Sequence, residues 1–127
     1  YTINMLLDLY DQTLKPAYLI KAKNICSNAI KHFYINEKSI FQKNKLSDND
    51  LFHRPLDITD HTVPNGNSIM LLNFSRLGMK KEGKELSDSL NGYLNVYKTL
   101  MTSSLKSIDY FNTISSGKKC TEDGCNI

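Results

Sequence analysis

Apolar residues recur three and four places apart along most of this chain, and nowhere do they alternate long enough to build a strand ladder. That spacing restricts the fold to packed amphipathic helices, so the predicted class is all-α. Ile3, Leu6, Leu7, Tyr10 and Leu14 mark a first helix that must stop before Pro16. Pro16 suits the first turn of a second helix, where its missing N–H costs nothing. There Leu19, Ala22, Ile25, Cys26, Ala29 and Phe33 share one face. The short connection predicts an antiparallel helical hairpin. Ser39 to Phe41 makes a brief extended stretch at most, and residues 43–50 read as a polar loop.

A third helix carries Ile69, Met70, Leu71, Leu72, Phe74 and Leu77, apolar on nearly all sides and therefore expected to be deeply buried. Asn67 or Ser68 is its expected N-cap and Gly78 its terminator. A fourth helix shows Leu86, Leu90, Tyr93, Leu94 and Tyr97, with Gly83 and Gly92 inside it. Each glycine costs about 1 kcal/mol of helix propensity relative to alanine and permits close helix contacts. In a fifth helix Met101, Leu105, Ile108 and Phe111 share a face, with Leu100 and Ile114 at the ends. Residues 118–127 read as an irregular tail.

Composition narrows the function classes. The chain has 127 residues, 40% of them hydrophobic, and a net charge of +3. This fits one domain or part of a larger one. Lysines are scattered among acids; even Lys80, Lys81 and Lys84 are interrupted by Glu82 and Glu85, so a nucleic-acid partner is not expected. The longest apolar run, Ile69 to Leu72, is too short to span a membrane. No signal peptide is visible, and a cytoplasmic location is the expectation. The opening at Tyr1, already inside an apolar pattern, suggests a processed chain or an excised fragment.

The densest chemistry lies between Arg54 and Ser68, a loop with two prolines, a glycine, two aspartates and two asparagines. Turns this rich in hydrogen-bonding groups are held in one shape, and such loops often carry function. Arg54 can clamp a carboxylate or hydroxyl groups with its planar fork, or pair with Asp57 or Asp60 to fix the loop. Asp57 and Asp60 are the catalytic candidates, since paired carboxylates can divide acid and base roles. Their alternative is to accept backbone N–H groups. His53, Asn65, Asn67 and Ser68 join Arg54 as candidate ligand-binding residues. His53 and His61 can each act as a base or stand solvated. His32 sits where a cation favours a helix C-terminus. A metal site from His53, Asp57, Asp60 and His61 has no standard ligand spacing, so no metal and no cofactor are expected.

Cysteines number three, an odd count that argues against a pure disulfide framework. Cys26 falls on the apolar stripe of the second helix and reads as a small buried hydrophobe. Cys120 and Cys125 enclose Thr-Glu-Asp-Gly and are open to two readings, free thiols or a local disulfide. Two cysteines alone cannot complete a zinc site.

The run Arg-Pro-x-Asp-x-x-Asp-x-x-x-Pro-x-Gly-Asn-Ser, preceded by a helical pair and followed by a Leu-rich helix, resembles the C-terminal region of the spermatogenesis-associated protein 20 / YyaL family. The resemblance runs from Leu6 to about Ile114 and rests on Arg54, Asp57, Asp60, Pro64, Gly66, Asn67 and Ser68. The Cys-x4-Cys tail is similar to one that ends many members. Here His61-Thr62 stand where the family usually has Gly-Ala, and Asn65 where it has Ser.

The family joins a thioredoxin-like domain to a six-hairpin (α/α)6 toroid. The resemblance implies that residues 1–117 are antiparallel hairpins forming part of such a toroid and that 118–127 are a Cys-containing tail. It implies a polar loop at a carbohydrate-like cleft, with a small polar or sugar-like ligand. The alternatives are part of a sugar isomerase, epimerase or glycoside-hydrolase-like enzyme, or a helical protein-interaction module. A partial ring leaves apolar faces uncovered, so an apolar seam is expected, covered by upstream parts of the same protein or by another chain.

Overall fold

A computed structural model describes residues 1–45 and 56–117, together with the strand backbone of Cys120–Thr121 and Gly124–Cys125. Five α-helices dominate the described residues, as the all-α reading expects. The chain divides into two compact units, Tyr1–Asp57 and Ile58–Ile127.

In the first unit, α1 (Thr2–Thr13) buries Ile3, Leu6 and Leu7. Leu14 ends it in the left-handed region at φ 52°, donating its N–H to the Tyr10 carbonyl. Lys15 is extended, as a residue before proline must be, and α2 (Pro16–Phe33) starts at Pro16. The two helices pack as the expected hairpin. Only Ala22 and Cys26 of the α2 stripe are fully buried; Leu19, Ile25, Ala29 and Phe33 are half-buried.

The reading without strand pairing needs correction at two places. Tyr34–Ile35 (β1) pairs antiparallel with Ile40–Phe41 (β2), with Tyr34 opposite Phe41 and their ring centroids 4.9 Å apart. Ser39 at φ 49° turns the chain between them. Two-residue strands are too short to leave a period in sequence. In the tail, Cys120–Thr121 (β3) pairs with Gly124–Cys125 (β4), with Cys120 directly opposite Cys125.

The second unit packs α3 (Gly66–Leu77) against α5 (Thr102–Ser115) and α4 (Lys80–Tyr97), with α4 also touching α5. Ile58, Leu71, Phe74, Leu86, Leu90, Met101, Ile108 and Phe111 are buried in it. Gly78 closes α3 at φ 71°. Its N–H donates to the Ser75 carbonyl and the Met79 N–H to the Phe74 carbonyl, the paired bonds of a Schellman motif.

The expected apolar burial of α3 is corrected. Ile69, Met70, Leu72 and Leu77 are only half-buried, whereas Asn67, Ser68, Asn73 and Ser75 are buried beside Leu71 and Phe74. On α5 the buried line runs Met101, Ser104, Ile108, Phe111, and Leu105 is 50% exposed. Serine at 104 and 107 takes the inward positions where α5 meets α3, and Leu105 lies about 100° further round the helix. Close contact at Gly83 is present, since a Cβ there would overlap the Phe111 ring. Gly92 has nothing nearby.

Candidate functional site

Local chemistry sets the start of α3. Asn65 follows Pro64 in an extended conformation, and its side-chain oxygen accepts the Ser68 N–H at 2.9 Å. Asn65 is therefore the N-cap, two residues before the earlier of the two expected caps, Asn67 and Ser68, which lie buried in the first turn instead. Gly66 is tolerated at the first helical position, where few backbone bonds depend on it.

Asp60 joins this start to a second one. Its carboxylate accepts from the Asn65 N–H at 2.9 Å and from Asn65 Nδ2 at 2.8 Å. It also accepts from the Ser103 N–H at 2.8 Å, from Ser103 Oγ, and from Thr102 Oγ1 at 3.4 Å. Thr102 and Ser103 open α5, whose own N-cap residue, Met101, makes no side-chain cap bond. Asp60 thus caps α5 from 43 residues away. Its N–H donates to the Leu100 carbonyl at 2.6 Å, which anchors the loop from the other side.

Hydroxyl groups meet between the two helix starts. Ser68 Oγ lies 2.7 Å from Ser104 Oγ, and Ser103 Oγ lies 3.0 Å from Ser68 Oγ. Asn65 Nδ2 reaches both Ser103 Oγ and Ser104 Oγ at 3.2 Å. Two helix N-termini therefore converge on one carboxylate, and their partial positive charge favours its ionised form.

Burial tends to raise the Asp60 pKa, but the hydrogen bonds from Ser103 and Asn65 outweigh it and hold the group below its ordinary 3.8. With the folded value depressed, the contribution of Asp60 is complete above the unfolded pKa and is lost as pH falls through the folded one. Acid unfolding of this unit should begin below about pH 4, and Asp60→Asn should flatten that part of the curve. Circular dichroism against pH for both proteins checks this, and parallel curves would contradict it.

The other sequence candidates fall elsewhere. Asp57 belongs to the first unit, where Lys43 Nζ lies 3.4 Å from its carboxylate with both side chains partly exposed. Such a pair contributes about 0–1 kcal/mol. His53 and Arg54 lie outside the described residues. His61 is exposed, and its N–H donates to the Val63 carbonyl at 3.2 Å. An open recess of about 280 Å³ adjoins Asp60, lined by His61, Thr62, Val63, Pro64, Thr102, Ser103 and Lys106.

Sequence reasoning missed Ser103, Ser104, Thr102 and Lys106. The Thr-Ser-Ser run before an apolar period was a legible helix start. Nothing in it pointed to Asp60 as partner.

Among the described residues no group of three or more His, Cys, Asp or Glu side chains is placed to hold a metal. No described helix is long and apolar enough to cross a membrane. No protein-family model matches the chain, and neither the curated proteins nor the solved structures compared with it give a match.

Proposed function

We propose that this chain is a structural helical portion of an (α/α) toroid-type protein, related to the spermatogenesis-associated protein 20 / YyaL family. In this reading the Asp60 loop braces two helix starts at the rim of a polar, carbohydrate-like cleft. The observation that carries it is the saturation of the Asp60 carboxylate by donors from Asn65, Thr102 and Ser103. A carboxylate held ionised by five donors is a poor general acid or base near neutral pH, because moving a proton onto it would break the bonds that hold the loop. A sugar isomerase or glycoside-hydrolase role for Asp60 is disfavoured on the same ground.

Uncovered apolar side chains support a place within a larger assembly. In the first unit Met5, Leu9, Leu14 and Ile20 are exposed; in the second, Val96, Leu100, Leu105 and Tyr110 are. Covering side chains such as these on association removes apolar surface from water. The cover in this reading is the upstream part of the same protein or another chain. Light scattering on the chain should show association that grows with concentration, reduced by Ile20→Lys and Leu105→Lys without loss of helical signal. A clean monomer at the highest attainable concentration would overturn the proposal.

A further inference from the structure

We infer that Asn65-Gly66 is a hydrolytic modification site which the native Asp60 network holds shut. Asparagine followed by glycine is the pair most open to intramolecular deamidation, since glycine has no Cβ to shield its nitrogen. The Gly66 nitrogen bonds to Asn65 Cγ, and the Asn65 amide nitrogen leaves as ammonia. Water then opens the cyclic imide. Attack at Cγ gives aspartate; attack at the main-chain carbonyl gives isoaspartate, with the backbone rerouted through Cβ. Overall one water is consumed and one ammonia released.

In the fold, Asn65 is only 2% exposed. Its Oδ1 accepts the Ser68 N–H, and its Nδ2 donates to Asp60 at 2.8 Å, with Ser103 and Ser104 hydroxyls in reach. Ring closure needs Cγ to swing toward the Gly66 nitrogen, so it needs all of these bonds to open. The product cannot restore them. An aspartate at 65 places an acceptor where Nδ2 donated, 2.8 Å from the Asp60 oxygen, and two carboxylates meet. Isoaspartate lengthens the chain inside the cap. Opening followed by reaction is therefore a one-way step away from the native loop.

Asn91-Gly92 supplies an internal comparison. It is the same pair, but it lies within α4 with Asn91 exposed. The test is peptide mapping of the intact chain held in mildly alkaline buffer, with and without urea. Each deamidation adds roughly one mass unit. Asn65 should react at least about tenfold more slowly in buffer than in urea, as expected where local opening must precede reaction. Asp60→Asn should raise the Asn65 rate in buffer several-fold and leave Asn91 unchanged.

Equal rates at Asn65 in buffer and urea, or equal acceleration at both asparagines in the variant, would overturn the inference. Should the variant not fold, graded urea on the natural chain replaces it: the Asn65 rate must rise before the helical signal is lost, and a rise only with global unfolding overturns the gate. Chain deamidated in urea should regain less helical signal in buffer than chain held in acidic urea, and equal recovery counts against the one-way step.

Discussion

Replacing Asp60 with alanine is expected to destabilise the Ile58–Ile127 unit by about 2–3 kcal/mol, the sum of a lost helix cap and of donors left without an acceptor in a partly buried site. The change removes the acceptor for the Asn65 and Ser103 N–H groups, Asn65 Nδ2 and Ser103 Oγ together. In a unit of this size such a loss lowers the thermal midpoint by roughly 10 °C or more. Asparagine keeps one acceptor oxygen and should lose about half as much. A double-mutant cycle of Asp60→Ala with Ser103→Ala should show coupling of about 1 kcal/mol, because the two groups belong to one network. Urea unfolding followed by circular dichroism measures all three. A loss below about 0.5 kcal/mol for Asp60→Ala, the range of ordinary surface substitutions, would mean that the loop does not brace the helices.

Gly83→Ala and Gly92→Ala should move stability in opposite directions although both lie in α4. Alanine gains about 0.5–1 kcal/mol of helix propensity at either place. At position 83 the new methyl group runs into the Phe111 ring, which is only 4% exposed, so the ring or the helix must shift. Overpacking of this kind costs about 1–3 kcal/mol, so a net loss of about 1–2 kcal/mol is expected. At position 92 there is nothing within 4 Å, and the gain stands alone. Phe111→Leu should cost less in the Gly83→Ala background than in the natural chain, since the smaller side chain relieves the overlap. Stabilisation by both alanines, or strict additivity of Gly83→Ala with Phe111→Leu, would show that α4 and α5 do not approach at Gly83.

The residues that punctuate the chain were legible in advance. Pro16 opens α2 and Gly78 closes α3, because fixed φ and positive φ are properties of single residues. The buried roles of Ala22, Cys26, Leu86, Leu90 and Phe111 were also readable, since helical spacing puts them on one stripe. Other features were not. Asn65 took the cap that Asn67 and Ser68 were expected to share, because several polar residues in a row can each serve and the first one bonded to Asp60 wins. Leu105 lost its expected inward place to Ser104, whose hydroxyl meets Ser68.

The sequence by itself determined the helical class, the first hairpin and the helix limits at Pro16 and Gly78. These depend on the spacing of apolar side chains and on the backbone preferences of proline and glycine, which act within one or two turns. Only the tertiary structure decided that the Asp60 carboxylate would close the start of α5, 43 residues along the chain, and that serine hydroxyls would meet between the first turns of α3 and α5. A carboxylate carries no mark of its partner in sequence. The partner is chosen by which donors the packed helices bring within about 3 Å, and that is a property of the assembled fold.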